Sequence, residues 1–364
     1  MSVAARRSLA VLVFALLPLV ANAIMVVASL RPDGMFDFHS FYGAARAIVD
    51  GDLRAFAYPP PVALATVPLA LLPYAVAAHI YMVVLLTGVA LTLRVLGVRD
   101  WRCYGATLLC APTVNVVGSG AISFFLALGV ALLWRHRNDP RLAAPIVAIT
   151  VIAKIFLWPL LLWLVATRRL TTAVAAGVGG VGVVLAAWAA IGFAGLVEYP
   201  RILSGMASTY EHDGYSPVSL ALAVGFDRTA ARAFAAAVGL ALVVAMFAVA
   251  RREDGDRRSL ALALAASLAL TPIVWLHYFV LLFVPIAIAR PRLAALWIAP
   301  LLYWVGSGHS HGELATIVGV WAVTVAVVAG CLRSGRPGLA FAPRERRRSR
   351  DRLPQRHEAV SRPA

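Results

Sequence analysis

The sequence has little charge for its length. Asp, Glu, Lys and Arg make up 14% of its 364 residues, and 61% of the residues are hydrophobic. Water-soluble domains are about 25% charged and about 45–50% apolar, so a soluble core cannot account for this surplus. The composition excludes an ordinary soluble domain and predicts an all-α integral membrane protein with many transmembrane helices.

Cysteine and lysine are scarce as well. The three cysteines, Cys103, Cys110 and Cys331, fall within or at the ends of apolar segments and have no metal-ligand spacing. This pattern predicts free thiols and excludes a disulfide framework. Lys154 is the one lysine in the chain and lies in the middle of an apolar stretch. An ionisable group in such a place predicts a functional role, with snorkelling or a structural pair as the alternative.

The positive charge is unevenly distributed. The net charge is +16, but the arginines cluster in short loops and in residues 333–364, which hold ten of them. A nucleic-acid partner is therefore not predicted. We expect residues 333–364 to form a basic, disordered cytoplasmic tail near anionic lipid.

Apolar segments that alternate with arginine-rich loops predict the topology. The positive-inside rule gives about twelve spans in a domain of residues 1–332, with both termini in the cytoplasm. Two large outer loops follow, at 31–73 and 194–228. The first segment imitates a signal peptide, yet its apolar run continues to Leu30, so we expect an uncleaved first helix in the plasma membrane.

The first outer loop carries a polar patch, "FDFHSFYGAARAIVDGDLRAFAYPPP" (36–61). Its apolar residues recur at helical spacing, which predicts an amphipathic helix along the outer interface. Asp37 is placed to cap that helix, and capping alone would explain it. For His39 and Arg46, a simple interfacial anchor is an adequate explanation.

Four segments, in order, resemble glycosyltransferase family 87. In the first, Asp37, Tyr42, Gly51 and the "YPP" at 58–60 match the family pattern. The others are "GSGAISFFLALGVALLW" (118–134), "AKIFLWPLLL" (153–162) and "TPIVWLHYFVLL" (271–282). Ser119 stands where the family usually has Gln. The resemblance covers about residues 10–330 and implies a GT-C helix bundle with its active site facing outward.

The resemblance also implies a reaction. It implies transfer of a sugar from a polyprenyl-monophosphate donor to a lipid-linked glycan with inversion, and we predict no cofactor. It assigns the general base to Asp37, which would deprotonate the acceptor hydroxyl for in-line attack. The phosphate leaving group needs positive charge or hydrogen-bond donors. Candidates are His277, Lys154 and Arg201, and candidate substrate-binding residues are Tyr42, Tyr58, His39 and His212.

Two histidine-containing motifs invite a metal interpretation. "HSHGE" (309–313) has chelating spacing without a third strong ligand, so a solvated turn is favoured. "EHD" (211–213) could hold a cation or an acceptor sugar, and a solvated loop is favoured there as well. We therefore predict no metal site.

The resemblance favours mannose as the sugar, with α-1,2 transfer to a glycolipid, and three alternatives stay open. The nearest alternative is a decaprenyl-phosphate arabinofuranose donor. A lipid-linked sugar transporter or flippase would place charged groups near the midplane, which Lys154 permits. A structural membrane subunit would leave the ordered motifs unexplained.

Overall fold

The computed structural model describes residues 2–31, 34–52, 58–307 and 312–333. Helices make up 79% of these residues, and no β-strand occurs among them. The predicted all-α class is therefore confirmed. Of the predicted tail at 333–364, Arg333 ends the helix Leu314–Arg333, and residues 334–364 lie outside the described residues.

The first part of the chain folds into eight α-helices. They are α1 (Val3–Val11), α2 (Leu17–Ser29), α3 (Phe36–Val49), α4 (Pro60–Ala70), α5 (Tyr74–Val95), α6 (Trp101–Leu108), α7 (Ala111–Ser119) and α8 (Ser123–His136). A π-helical turn, Leu12–Leu16, joins α1 to α2, so that Ala4–Ser29 is one apolar helix of 26 residues. The helix predicted after the first span is present as α3.

The second part contains ten α-helices and three 3₁₀ helices. The α-helices are α9 (Pro140–Ala153), α10 (Pro159–Ala166), α11 (Leu170–Ala190), α12 (Tyr199–Tyr210), α13 (Pro217–Ala223), α14 (Arg228–Ala250), α15 (Gly255–Leu270), α16 (Phe283–Ala289), α17 (Ala295–Ile298) and α18 (Leu314–Arg333). The 3₁₀ helices are Ile155–Leu157, Leu276–Leu282 and Ala299–Gly306. The predicted second outer loop, 194–228, thus contains α12 and α13.

Several helices are long and apolar enough to cross a bilayer. Within the described residues there are five, or six if the bent pair α7 and α8 counts as one span. The five are Ala4–Ser29, Tyr74–Val95, Leu170–Ala190, Arg228–Ala250 and Leu314–Arg333. Five further apolar helices are shorter, at 10–17 residues. These helices indicate a membrane protein, but they do not confirm the predicted number of about twelve spans.

The centre of the molecule is formed by α15 and by the continuous segment Leu276–Ala289. Nearly every residue of both is buried. Helix α15 is rich in alanine and leucine, and it packs against α10, α14, α16 and α18. Small side chains allow this close approach, because the backbones of adjacent helices can then lie nearer to one another.

Two breaks in apolar helices shape the region where polar residues meet. Gly120 ends α7 with a φ of +69°, and α8 leaves the break at 119° to α7. A Cβ atom at Gly120 would lie 2.8 Å from the Cβ of Phe38, so glycine also lets α3 pack close to the break. The second break follows α9, where Lys154 adopts an extended conformation.

Candidate active site

Asp37 lies in the first turn of α3, which differs from the predicted position. Met35 is the N-cap of α3, in the left-handed conformation with a φ of 53°. Asp37 is the second residue of the helix, and the structure gives the helix no side-chain cap. The expectation that Asp37 caps α3 is therefore wrong. Its carboxylate is directed instead towards residues that lie far away in the sequence.

The side chains of Tyr58 and His277 approach the Asp37 carboxylate without saturating it. The Tyr58 hydroxyl donates to Oδ1 at 3.5 Å, the outer limit for a hydrogen bond. The Nε2 atom of His277 lies 3.8 Å from Oδ2, beyond hydrogen-bond distance. Asp37 is nevertheless only 16% exposed. A buried carboxylate with weak partners has acceptor capacity left for a ligand.

His277 is fixed from its other side. Its Nδ1 atom lies 3.0 Å from Oδ1 of Asn115, in the middle of α7. The side chain of His277 is 5% exposed, and its Nε2 atom makes no hydrogen bond within the described part of the chain. Asn115 is exposed. The imidazole ring is thus oriented by Asn115 and presents Nε2 to the same space as the Asp37 carboxylate.

Lys154 provides the positive charge in this region. Its ammonium donates to the Tyr278 hydroxyl at 2.8 Å and lies 4.3 Å from the centre of the Tyr278 ring. It also lies 5.7 Å from the centre of the Tyr58 ring. Tyr278 is held in turn by stacking on Phe156, with ring centres 4.8 Å apart. We call Asp37, Tyr58, Asn115, Lys154, His277 and Tyr278 the Asp37 cluster.

The surroundings of Asp37 act on its pKa in opposite directions. Burial is the largest influence and raises the pKa of Asp37 above its ordinary value of 3.8. The charge of Lys154 and the hydroxyl groups of Ser119 and Tyr58 lower it by a smaller amount. Removing solvent from a carboxylate disfavours its charged form, so this group holds a proton more readily than an exposed aspartate does.

Four of the predicted site residues lie outside the Asp37 cluster. The Tyr42 hydroxyl donates to the backbone oxygen of Leu72 at 2.8 Å and so ties α3 to the turn after α4. His39 is exposed and packs on Tyr74, with ring centres 5.2 Å apart. Arg201, on α12, and His212, just after it, are both exposed. Their proposed roles in binding substrate stay predictions.

The two histidine motifs are placed differently from one another. In "EHD", Glu211 is fully buried and pairs with Arg228 and, at 3.1 Å, with Arg232. Its carboxylate is therefore engaged inside the protein. In "HSHGE", His309 and His311 lie outside the described residues. Among the residues that the structure does describe, no group of three His, Cys, Asp or Glu side chains could hold a metal ion.

Asn115 and Tyr278 were not predicted as site residues. Asn115 is 162 positions away from His277 in the sequence, and Tyr278 is 124 positions away from Lys154. The available signals were weak: Asn115 is a polar residue in an apolar segment that ends at a glycine, and Tyr278 adjoins a histidine. Neither pattern shows which distant side chain it contacts.

The Asp37 cluster combines groups suited to a displacement reaction. A buried carboxylate with a raised pKa can take a proton, and a lysine can offset negative charge that develops nearby. An exposed apolar residue adjoins each of the two charged residues in the sequence. Phe36 precedes Asp37 and Ile155 follows Lys154, and each is 72% exposed. A ligand that reached the site from the membrane would pass over such surfaces.

Comparison with known families identifies one match. The model of glycosyltransferase family 87 matches residues 56–277, which is more than half of the chain. The matched range includes Tyr58, Asn115, Lys154 and His277, whereas Asp37 lies before it. No curated protein and no solved structure is significantly similar to the chain.

Proposed function

The chain belongs to glycosyltransferase family 87, and on that premise we propose that it transfers a sugar from a polyprenyl monophosphate to a lipid-linked glycan with Asp37 as general base. The sugar is mannose in this proposal, and the anomeric configuration inverts. The observation that carries it is the buried Asp37 carboxylate, which faces His277 and lies near Lys154 without forming a short ion pair.

Asp37 would act on the acceptor. The acceptor hydroxyl approaches Oδ2 and transfers its proton to the carboxylate while its oxygen forms a bond to the anomeric carbon. The 3.8 Å separation between Asp37 Oδ2 and His277 Nε2 leaves both atoms able to contact one bound hydroxyl group. A base with a raised pKa is suited to this step, since general bases work best when their pKa lies nearer the ambient pH.

Lys154 would act on the donor. As the new bond forms, the bond between the anomeric carbon and the phosphate oxygen breaks, and its electron pair stays on the polyprenyl phosphate. The ammonium of Lys154 lies at the break after α9 and keeps hydrogen-bonding capacity beyond its bond to Tyr278. A fixed positive charge at that point stabilises the negative charge that develops on the leaving group.

The membrane arrangement completes the proposal. A GT-C bundle of about twelve spans would place the Asp37 cluster at the outer face of the plasma membrane, with both termini in the cytoplasm. The apolar surfaces beside Phe36 and Ile155 support a lipid-borne donor, because the donor could enter the site from the bilayer. His39, Tyr42, Arg201 and His212 would contact the substrates farther from the reacting carbon.

The test is transfer by the purified full-length protein in nanodiscs. Decaprenyl phosphates carrying radiolabelled mannose or arabinofuranose are supplied in parallel, each with a mixed pool of membrane glycolipids. We expect labelled product from the mannose donor with wild type and a loss of about 10²-fold or more with Asp37→Asn. Asp50→Asn is the matched control, because Asp50 lies at the end of the same helix in an exposed ion pair with Arg46.

Each other outcome has a definite meaning. Product from the arabinofuranose donor alone keeps the base and changes the sugar. Equal transfer by wild type and Asp37→Asn keeps the enzyme and removes Asp37 as its base. If neither donor gives product while the labelled lipid crosses the bilayer of protein-containing vesicles, the transporter alternative replaces the proposal.

A further inference from the structure

Arginines line a large cavity at one end of the molecule. We call this cavity, of about 890 Å³, the arginine groove. Its charged lining residues are Arg94, Arg99, Arg102, Arg135, Arg292 and Asp100. A second hollow shares Asp100 and Arg102 with it and adds Arg6 and Arg7. The two hollows therefore form one continuous basic surface.

The arginine groove lies far from the Asp37 cluster. Helix α5 begins at Tyr74, whose ring contacts the rings of Phe38 and His39, and it ends at Val95 in the groove. A helix of 22 residues is about 33 Å long, close to the roughly 30 Å of the hydrocarbon core of a bilayer. Helix α8 runs the same way, from Ser123 beside the break to Arg135. If α5 crosses the membrane, the groove lies at the membrane surface opposite Asp37.

The charges of the groove are not balanced by the protein. Asp100 is the one acidic residue that lines it, and both of its oxygens accept hydrogen bonds from Arg102, at 2.9 and 2.8 Å. The backbone amide of Leu293 also donates to Asp100, at 3.1 Å. The other arginines of the cavity (Arg94, Arg99, Arg135 and Arg292) form no ion pair within the described residues. Four guanidinium groups that converge on one cavity repel each other unless an anion is present.

Apolar side chains adjoin this basic surface. Ala10, Val11 and Trp101 line the second hollow. Val11 is 40% exposed and Trp101 is 47% exposed. Tryptophan is enriched where a membrane meets water, and exposed valine beside it suits an acyl chain better than a soluble anion. We propose that the arginine groove binds the headgroup of an anionic phospholipid, with its phosphates on Arg94, Arg99, Arg135 and Arg292. Basic cavities between transmembrane helices are suited to such headgroups.

Lipid binding to the full-length protein tests this proposal. The protein in neutral detergent is titrated with cardiolipin or with phosphatidylcholine, and bound lipid is counted by native mass spectrometry. We expect cardiolipin to bind more tightly than phosphatidylcholine. The double variant Arg99→Gln/Arg292→Gln should bind cardiolipin about 25-fold more weakly, from roughly a fivefold loss for each arginine.

The matched control removes the same charge elsewhere. Arg251→Gln/Arg252→Gln changes two exposed arginines that follow α14 and do not line the groove. An equal loss in both double variants would show a general effect of charge and overturn the proposal. Inorganic pyrophosphate is added as a competitor, and displacement of cardiolipin at equal concentration would assign the groove to a soluble anion. Both variants must elute as wild type does on size exclusion, and if the double variant does not, the single variant Arg99→Gln replaces it, with an expected loss of roughly fivefold.

Discussion

Asp37 and Asp256 are two carboxylates with positively charged neighbours, but they differ in burial and in how closely their neighbours approach. Asp256 is 33% exposed and lies 2.7 Å from Arg169 and 3.1 Å from Arg137. Asp37 is less exposed, at 16%, yet the Tyr58 hydroxyl and the His277 Nε2 atom lie 3.5 and 3.8 Å from its oxygens. The more deeply buried carboxylate is therefore the less satisfied one.

The pKa values of the two groups follow this difference. Burial tends to raise the pKa of Asp256, but hydrogen bonds and charge from Arg169 and Arg137 outweigh it, so its pKa lies below the ordinary value of 3.8. At Asp37, burial prevails over Lys154, Ser119 and Tyr58, and the pKa is raised. A nearby positive charge does not by itself decide the protonation of a carboxylate, because hydrogen-bond geometry and solvent access also contribute.

Asp256 has a structural task. Its side chain joins the end of α8, through Arg137, to the turn before α11, through Arg169. Its backbone oxygen also accepts a hydrogen bond from the indole of Trp163 on α10, at 3.1 Å. The first turn of α15 is thereby fixed to three other segments. A fully bonded carboxylate stabilises the fold, whereas an incompletely bonded one keeps its acceptor capacity for a ligand.

The largest expected effect separates the two residues by substitution. Asp37→Asn should lower sugar transfer by about 10²- to 10⁴-fold, because the proposed base is lost. It should leave the thermal midpoint unchanged or higher, since a carboxylate with a raised pKa is less stable as a charged group in the folded state than in the unfolded state. Asp256→Asn should do the reverse: near-normal transfer per folded molecule and a loss of about 2 kcal/mol of stability.

Transfer rate and thermal midpoint are measured on the same preparations of each variant. Asp139→Asn is a useful reference for the stability measurement, because Asp139 only caps α9 through the amide of Arg141. Comparable losses of both activity and stability in the two main variants would abolish the distinction between them.

The second effect concerns the cation beside Asp37. Lys154→Gln should reduce transfer by about 10²-fold, because the leaving phosphate loses its fixed positive charge. It should also raise the pKa of Asp37, since the charge of Lys154 lowers that pKa. If Asp37 is the proposed base, its deprotonated form is the active one, so the acid side of the pH–rate profile should move to higher pH.

Lys154→Arg is the control for charge. It should keep the position of the acid limb close to that of wild type, although the larger guanidinium cannot reproduce the bond to Tyr278. If the pH–rate profile of Lys154→Gln matches that of wild type, the charge of Lys154 does not act on Asp37. Lys154 would then have only a structural role beside Tyr278.

Much of the fold could be predicted from the sequence. Long apolar runs give α5, α11, α14 and α18 directly, because a stretch of about 20 apolar residues has few other solutions. The breaks near Gly120 and Lys154 are also visible, as a glycine and a charged residue within otherwise apolar segments. The number of transmembrane spans is harder to predict. Short apolar helices such as α9 and α10 carry no sequence signal that distinguishes a transmembrane helix from a buried or re-entrant one.

The site could be predicted only in part. Asp37, Tyr58, Lys154 and His277 lie close together, and each stood out as a polar or motif residue beside an apolar run. The role of Asn115 could not be predicted, since the contact that orients His277 depends on how α7 packs on the 3₁₀ helix at 276–282. The bonding of Asp256 was equally hidden, because "RREDGDRR" (251–258) indicates only a basic loop.

The smallest expected effect is the dependence of stability on pH. This dependence should have opposite signs for Asp256 and Asp37. The folded-state pKa of Asp256 is depressed, so its contribution to stability is complete above the ordinary pKa of 3.8 and is lost as the pH falls through the lower folded value. The difference in thermal midpoint between wild type and Asp256→Asn should therefore shrink below about pH 4. For Asp37 the raised pKa reverses the sign: any excess stability of Asp37→Asn should be complete above the raised folded value, shrink as the pH falls through that value, and be lost at about the ordinary pKa of 3.8. Thermal unfolding of the three proteins between acid and neutral pH measures both differences, and two curves of the same sign would mean that Asp37 is bonded in the folded protein as tightly as Asp256.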